Sequence, residues 1–466
     1  KDHPFDEGVG WGNEPWSQEE MELNEALVEE AAEKNEYAIV ILARTAGEDK
    51  DNKMLEGAYC LTSIEEDMLQ KVRKSFAKMI VLLNTGNIMD MSFMDQYRPD
   101  AVMYVWQGGM IGGLGTVDVL TGKVCPSGRL SDTIAAQMSD YPANPYFGGL
   151  EQNLYVEDIY VGYRYFESVA KSKVLYPFGF GLSYTTFSME ADRFSYAENQ
   201  VSFVMKVTNT GSVAGKEVVQ VYAKAPLGKL GKPARVLIDF KKTKELKPGE
   251  SEELAFAIPT SVFASYNEVS TAEMPTGWVL EAGEYTIYAG GNVRDAYAVG
   301  SFTLDELQIV EECRNALAPT TPFKRMKMTA ANEHAEAAGV YEIAMEEVPL
   351  RVVSPEEKRN AELPESYEMT GDRGIKLADV KAGKATLDEF VAQLSEEELA
   401  SIVRGEGMGS PKVTAGTAAA FGGVTKSLLE KGIPCGCCDD GPSGMRLDSG
   451  MKAFSLPNGT LLACTF

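Results

Sequence analysis

Two acidic segments follow apolar runs that are typical of buried strands. The run EYAIVILA at 36–43 precedes the loop GEDKD, which carries Glu48 and Asp51. The run at 433–438 precedes two adjacent aspartates, the second of which is Asp440. Ligands of open α/β sheets bind beyond the carboxyl ends of the strands, so these carboxylates are candidates for general acid/base chemistry or ligand binding. The alternatives are a solvated charged loop for the first segment and a helix cap for Asp440.

Composition limits the classes of partner that this protein can bind. The chain has 466 residues, enough for about two to four domains, and a formal net charge of −25. Phosphate binding requires clustered Lys and Arg, so we expect neither nucleic acid nor an anionic membrane surface as a partner. No apolar run of about eighteen residues occurs, so the sequence predicts no membrane span. A neutral or cationic ligand fits this charge.

The cysteines and histidines indicate which metal sites and catalytic mechanisms the sequence can support. The seven cysteines are an odd number without regular pairing, which is typical of a reduced, cytoplasmic protein. Cys435 and Cys438 have the spacing of a zinc half-site, but a second half-site is missing, and we expect no metal. The only histidines are His3 and His334, so a Ser-His-Asp or Cys-His mechanism is not expected.

The first part of the chain alternates helix and strand patterns. Capping-box spacings at Ser17 with Glu20 and at Ser63 with Glu66 predict two helix starts. Apolar runs predict three strands of a mostly parallel sheet, at 36–43, 78–84 and 101–106.

Four glycines, at positions 108, 109, 112 and 113, follow the third predicted strand. They permit a tight turn into a helix at about 115–120. They also resemble a loose phosphate-binding loop, but the G-x-G-x-x-G spacing is absent, so nucleotide binding is the weaker alternative.

The pattern changes in the middle of the chain. Short alternating runs separated by turn signals predict a β-sandwich at 184–305. Residues 306–385 are charged and contain several prolines, which favours a linker with some helix. A new domain is predicted from 386, with a helix at 387–402 and a capping-box spacing at Ser395.

Taken together, these segments resemble glycoside hydrolase family 3, the β-glucosidase family. The resemblance rests on ARTAGEDKDN, VLLNTGNIMDM, WQGGMIGGLGTVDVLTGKVCPSGRLSDT, YPFGFGLSYTTF, VTNTGSVAGKEVVQVYAKAP and CDDGPSGMR. It implies a multidomain α/β protein with four parts: an α/β sandwich with a mostly parallel sheet at 1–183, a fibronectin type III-like β-sandwich at 184–305, the linker at 306–385, and the start of a (β/α)8, TIM-like barrel at 386–466.

The resemblance also implies an activity and residue roles. It implies retaining hydrolysis of terminal β-D-glucosyl residues from oligosaccharides or glycosides, without a cofactor. Glu48 matches the general acid/base, and Asp51 matches an aspartate that orients its loop. Asp440 matches the aspartate that binds sugar hydroxyls, and Arg446 either binds sugar, fixes Asp440, or forms a structural salt bridge. Trp106 and Tyr163 could stack on a sugar ring, although buried core aromatics are the simpler interpretation.

Two departures from the family pattern lead to further expectations. The sandwich and fibronectin-like domain precede the barrel, as in a permuted subgroup, and the chain looks incomplete at both ends. No residue matches the family's aspartate nucleophile, so we expect it on a second polypeptide segment that completes the barrel; a homo-oligomer is the other partner considered. The alternative function is a non-catalytic fragment or a scaffold subunit that binds sugar or a partner.

Overall fold

The computed structural model describes residues 4–10, 12–47, 49–352, 354–363, 366, 368–413, 417–446 and 451–465. The chain forms two compact units. The first comprises Lys1–Gln107, Gly112–Val353 and Thr460–Phe466, and the second comprises Gly108–Ile111 and Ser354–Gly459.

A parallel sheet opens the first unit. Its elements are α1 Glu25–Lys34, β1 Tyr37–Ala43, α2 Ser63–Ser75, β2 Lys78–Asn84, α3 Phe93–Tyr97 and β3 Ala101–Tyr104, followed by α4 Gly112–Leu120, β4 Ile134–Ala135, α5 Tyr163–Val169 and β5 Val174–Tyr176. The strand order is β1-β2-β3 and both pairs are parallel, which confirms the predicted sheet.

The two faces of β1 differ in burial. Val40 and Leu42 are buried against the helices of this unit, because alternate residues of a strand point to opposite faces. On the other face, Tyr37, Ile39 and Ile41 are 57%, 53% and 56% exposed. Strands of parallel sheets ordinarily have both faces covered, so this row is an unusual apolar surface.

The predicted helix starts shift in the structure. Helix α1 begins at Glu25 behind the N-cap Asn24, not after Ser17, because the preceding segment is held elsewhere: the Trp16 carbonyl accepts a 2.8 Å hydrogen bond from Thr45 N. Helix α2 has its capping box at Thr62 and Glu65, one residue before the predicted pair. The prediction at Ser17 was therefore wrong, and the one at Ser63 was displaced.

A β-sandwich follows, as predicted. Its strands are β6 Phe187–Ala197, β7 Gln200–Asn209, β8 Val218–Lys224, β9 Val236–Lys242, β10 Ser251–Pro259, β11 Ser265–Asn267, β12 Gly277–Leu280, β13 Gly283–Gly290, β14 Tyr297–Leu304 and β15 Gln308–Glu312. The antiparallel sheets β10-β7-β6 and β14-β13-β8-β9 enclose an apolar core, in which Phe203 stacks on Phe256 with ring centroids 4.9 Å apart.

The predicted linker contains ordered strands. Strand β15 pairs with β12, and β16 Lys324–Thr329 pairs antiparallel with β17 Glu342–Glu347 around the short helix α6 Glu333–Ala337. Met328 of this hairpin is buried against Tyr160. Half of the residues in each strand are charged, KRMKMT and EIAMEE, so the sequence did not show a strand pattern and only the tertiary contacts define these strands.

The second unit has short helices and a small sheet. Its elements are α7 Pro355–Ala361, α8 Leu377–Lys381, α9 Leu387–Ala392, α10 Glu396–Arg404, β18 Glu406–Gly407, β19 Thr417–Gly422, α11 Lys426–Glu430 and β20 Cys435–Asp439; α12 Gly459–Thr465 then lies mostly in the first unit. The sheet β18-β19-β20 is antiparallel, so the described strands do not show the parallel pairing of a barrel start. The barrel stays a prediction.

One predicted helix of the second unit is divided. The predicted helix at 387–402 is split into α9 and α10 because the buried Gln393 side chain turns to another segment: it accepts from Arg373 N and Ile375 N and donates to the Ile375 carbonyl. The capping box of Ser395 with Glu398 is confirmed.

Transmembrane helices are not found in the part of the chain that the structure describes, where each helix is too short or too polar to cross a bilayer.

Asp100 joins the start of β2 to the loop before β3, and it makes stability depend on pH. Its carboxylate accepts from Met79 N, and the ion pairs with Lys78 and Arg73 are each 3.0 Å. The Met79 N–H, followed by these cations, lowers the pKa of Asp100 well below its usual range. A lowered carboxyl pKa stabilises the fold above the unfolded-state pKa of about 4, and this contribution is lost as the pH falls below that value.

We therefore expect Asp100→Asn to lower the melting temperature at pH 7, with the difference from the parent shrinking as the pH falls below about 4. Differential scanning calorimetry of the two proteins between neutral and acid pH measures the melting temperatures and how their difference changes with pH. Asp192→Asn is the control, because the side chain of Asp192 is 76% exposed and its replacement should leave the melting temperature unchanged. An Asp100→Asn difference that stays constant with pH would contradict this linkage.

Candidate functional site

The acidic loop lies beyond the carboxyl end of β1, as predicted. Glu48 itself falls outside the described residues. Its neighbours Gly47 and Asp49 are described, and the Lys50 N–H donates a 3.1 Å hydrogen bond to the Gly47 carbonyl. This hydrogen bond joins the backbones of Gly47 and Lys50 directly.

Arg44, the first residue after β1, anchors the near side of this loop. Its guanidinium forms a buried ion pair with Glu65 and donates to the carbonyls of Ala43, Ala58 and Cys60. The two ion-pairing side chains are 6% and 5% exposed. Because hydrogen bonds and charge are both satisfied, the pair fixes where the chain leaves the strand and where it returns at 58–60.

Glu65 connects this anchor to helix α2. Its carboxylate also accepts from Thr62 N at 2.8 Å, while Glu65 N donates to the Thr62 hydroxyl at 3.1 Å. One side chain thus completes the capping box and neutralises Arg44.

Lys50 anchors the loop directly after Glu48. Its side chain is 6% exposed. The ammonium group donates to the Gly12 carbonyl and to Asp49, both at 2.7 Å, and lies 5.2 Å from the ring centroid of Trp16. The hydrogen bond from Lys50 lowers the pKa of Asp49. Lys50 is therefore buried and not solvated, because the Trp16 ring and the Gly12 carbonyl take the place of water around its ammonium group.

Two asparagines anchor the far side. Asn52 Nδ2 donates to the Ile88 carbonyl at 2.9 Å, and Asn87 Nδ2 donates to the Lys50 carbonyl at 3.0 Å. Asp51, which lies between Lys50 and Asn52 in the sequence, is exposed and makes no hydrogen bond or ion pair with another described residue. Its predicted loop-orienting role is untested, and the contacts that hold the loop belong to Arg44, Lys50, Asn52 and Asn87.

The second acidic segment forms a turn in the other compact unit. Asp440 follows β20 directly, and Arg446 returns to it: Arg446 N donates to the Asp440 carbonyl at 2.8 Å, and its guanidinium lies 3.3 Å from the carboxylate. Gly441 and Gly444 have φ of +119° and +122°, and a Cβ on Gly441 would overlap the Gly444 carbonyl. Glycine is therefore required for this close turn.

This turn leaves Asp440 available to a ligand. Its side chain is 38% exposed and that of Arg446 is 51% exposed. No described helix begins at Asp440, so the helix-cap alternative does not hold. The structure thus brings Asp440 and Arg446 together, whereas Asp51 lies in the first unit.

The two candidate stacking aromatics belong to the core. Trp106 is 2% exposed and stacks on Tyr104 at 4.6 Å, and Tyr163 stacks on Phe178 at 4.5 Å and accepts from Leu237 N. Their predicted interpretation as core residues fits these contacts.

Metal ligands do not cluster in the described part of the chain: no group of three or more His, Cys, Asp or Glu side chains there could hold an ion. The arrangement offers instead a carboxylate loop held from both sides and an exposed aspartate oriented by an arginine. Such groups can exchange protons with a ligand and accept hydrogen bonds from its hydroxyls.

Comparisons with known proteins identify the same two domains. Residues 17–184 match the model of the glycosyl hydrolase family 3 C-terminal domain, and residues 217–293 match a fibronectin type III-like domain. The chain is 54% identical to a beta-glucosidase of Ruminococcus albus over 465 residues, covering 100% of this chain and 48% of that protein. It is 36% identical to beta-glucosidase A of Butyrivibrio fibrisolvens, covering 98% of this chain and 60% of that protein.

A solved structure agrees over nearly the whole chain. The crystal structure of a beta-glucosidase from Paenibacillus barengoltzii is 51% identical, with a TM-score of 0.94, and the match covers 99% of this chain and 51% of that one. The chain therefore spans roughly half the length of the relatives it matches most fully.

The buried Arg44–Glu65 pair should dominate the local stability around the loop. We expect Arg44→Met to destabilise the sheet by about 3–5 kcal/mol, because an unpaired carboxylate remains buried. The double variant Arg44→Met with Glu65→Met should recover most of this loss. Hydrogen exchange of the β1 and β2 amides measures the local stability of the single and the double variant.

The exposed pair Lys34–Glu30 provides the control. Its side chains are 66% and 64% exposed, so Lys34→Met should cost less than about 1 kcal/mol. Equal effects of Lys34→Met and Arg44→Met would show that the buried pair does not hold the loop.

Proposed function

Because the chain belongs to glycosyl hydrolase family 3, we propose that it forms part of a retaining β-glycosidase, which removes terminal non-reducing β-D-glucosyl residues from oligosaccharides and glycosides. The observation that carries this proposal is the 54% identity to a beta-glucosidase along the whole chain. The reaction as proposed uses no metal or organic cofactor. The alternative of a non-catalytic scaffold is not favoured, because that relative is named for the activity.

Glu48 is the proposed general acid/base. Retaining glycosidases use two carboxyl groups about 5 Å apart. Protonated Glu48 would give its proton to the glycosidic oxygen while an aspartate, on polypeptide outside this chain, attacks the anomeric carbon. The Glu48 carboxylate would then take a proton from the water that releases the sugar. The anchors at Arg44 and Lys50 support this role, because a proton donor must be held within hydrogen-bond reach of the leaving oxygen.

Asp440 is the proposed sugar-binding residue. Its two carboxylate oxygens can accept hydrogen bonds from neighbouring hydroxyls of the sugar whose bond is cleaved. The 3.3 Å ion pair with Arg446 supports this role, since it orients the carboxylate while leaving it 38% exposed. Asp51 keeps its proposed role as a supporting residue of the Glu48 loop.

A second polypeptide segment is the proposed partner. It would carry the nucleophile and complete a (β/α)8-type barrel that begins within 386–466. The exposed apolar row of Tyr37, Ile39 and Ile41 supports a packing partner for β1, and self-association of the chain is another way to cover it. An intact-mass spectrum and sedimentation analysis of the purified protein separate a second segment from a homo-oligomer.

The proposed location is the cytoplasm. All seven cysteines are free thiols, as expected in a reducing compartment. Cell fractionation with an antibody to the chain tests this.

The acid/base role predicts a dependence on the leaving group. In the assembly that contains this chain and the nucleophile, Glu48→Gln should lower kcat for cellobiose by about 10²–10⁴-fold. The loss should be much smaller for 2,4-dinitrophenyl β-D-glucoside, whose leaving group departs without a proton. Azide should rescue the second step and yield β-glucosyl azide.

Asp51→Asn and Asp49→Asn serve as controls on the same loop, and neither should show azide rescue. Unchanged turnover of cellobiose by Glu48→Gln would disprove the assignment.

The sugar-binding role predicts a difference between adjacent aspartates. Asp440→Ala should lower kcat/KM for cellobiose by about 10–100-fold, because hydrogen bonds to a charged group contribute about 1.5–3 kcal/mol. Asp439→Ala, one residue earlier at the end of β20, is the matched control and should change kcat/KM by less than about threefold. Equal losses in both variants would indicate a general disturbance of the turn and count against sugar binding by Asp440.

A further inference from the structure

A second feature of the first unit is a large groove in and around the β-sandwich. Its volume is about 970 Å³, and it is lined by β9, the segment 262–278, the β16–β17 hairpin and residues 158–164. None of the predicted site residues lines it. Small-molecule sites usually have volumes of about 300–1,000 Å³, so this groove can hold a ligand larger than one sugar ring.

One wall of the groove carries aromatic side chains. Trp278 of β12 is directly opposite Tyr266 of β11, and their rings meet edge to face with centroids 5.4 Å apart. Trp278 is 43% exposed, whereas the sandwich aromatics Phe203 and Phe256 are each 2% exposed. An indole held in place by a neighbouring ring but open on its other side is a platform for an apolar ligand face.

A cluster of carboxylates around one arginine also lines the groove. Arg325 of β16 pairs with Glu268 at 2.5 Å and Glu346 at 3.0 Å, and with Asp158 at 3.4 Å. The Arg325 side chain is 16% exposed, so these interactions are partly shielded from water. Lys327 adds a second cation at Glu346.

Asp158 is the member of this cluster with spare acceptor capacity. Of the described residues, only Arg325 forms an ion pair with it, and none donates a hydrogen bond to its carboxylate. Burial raises the pKa of Asp158, because its ionised form lacks solvation. Its φ of +49° lies in the left-handed region, which is uncommon for residues other than glycine. Hydroxyl donors of a ligand would supply the missing hydrogen bonds.

The charge of the groove is balanced. Five carboxylates and five cationic side chains line it, although the whole chain carries a net charge of −25. A charged ligand would find no excess of opposite charge there. A neutral molecule with many hydroxyls and an apolar ring face matches both the aromatic wall and the carboxylate cluster.

We propose that this groove binds a neutral oligosaccharide, with one sugar ring lying on the indole of Trp278 and ligand hydroxyls donating to Asp158. This binding goes beyond the proposed hydrolysis, since it uses neither Glu48 nor Asp440. It gives the β-sandwich a role in holding a carbohydrate.

The test measures binding of cellotetraose to the full chain carrying Glu48→Gln, so that the probe is not consumed. Isothermal titration calorimetry gives the Kd, and tryptophan fluorescence reports contact with an indole. We expect Trp278→Ala to raise the Kd about tenfold or more, and Trp278→Phe to raise it less, because a ring remains. Asp158→Asn keeps the left-handed backbone, which Asn also tolerates, and should weaken binding severalfold. Tyr184→Ala removes a comparably exposed aromatic, 48% against 43% for Trp278, that does not line the groove, and it should leave the Kd unchanged.

Three results would overturn the proposal. The first is that the parent chain does not bind cellotetraose. The second is that Trp278→Ala and Asp158→Asn bind cellotetraose with the Kd of the parent. If Trp278→Ala does not fold, Trp278→Phe and Asp158→Asn decide. The third is that Asp440→Ala loses binding and the groove variants do not, which would assign the ligand to the proposed hydrolytic residues alone. Failure of the hydrolysis proposal would instead show in turnover by Glu48→Gln, which this titration does not measure.

Discussion

The buried ion pair between Arg44 and Glu65 is the interaction on which the candidate loop depends. It joins the end of β1, the returning chain at Ala58 and Cys60, and the first turn of α2. A buried charge without its partner is strongly unfavourable, so these three parts of the chain cannot separate independently. The acidic loop can carry several like charges because it is held by two buried cations, Arg44 and Lys50, and by the hydrogen bonds of Asn52 and Asn87.

Buried ion pairs also occur elsewhere in this acidic chain. Acidic residues number 69 and basic residues 44, yet several of the cations are almost fully buried against a carboxylate. Arg129 pairs with Glu217, Lys232 with Glu281, and Lys431 with Glu398, and each of these cations is at most 9% exposed. Burial of such pairs fixes geometry more than it adds stability. The β-sandwich core, in contrast, is held by apolar packing around Phe203 and Phe256.

The sequence predicted the bounds of the first three strands more accurately than the tertiary contacts of the chain. The bounds of β2 are those predicted, and β1 and β3 differ only by one or two residues at an end. Two of the errors have one physical cause, which is that a distant contact overrode a local pattern. Trp16 is held by the chain after β1, so no helix starts at Ser17, and Gln393 turns to Ile375, so the helix at 387–402 divides. The strands β16 and β17 were missed for a different reason, which is that half of the residues in each strand are charged.

For the candidate site, the sequence by itself determined which carboxylates follow strands and which turn requires glycine. Those features act over a few residues: the two residues of a capping box are three positions apart, and the Asp440 turn closes at Arg446. Only the tertiary structure decided that Lys50 is buried and that Arg44 anchors the loop. Their partners Gly12 and Glu65 are 38 and 21 residues away, and nothing in the local pattern indicates that such residues will meet. The groove beside Trp278 likewise exists only because strands from separate parts of the chain pack around it.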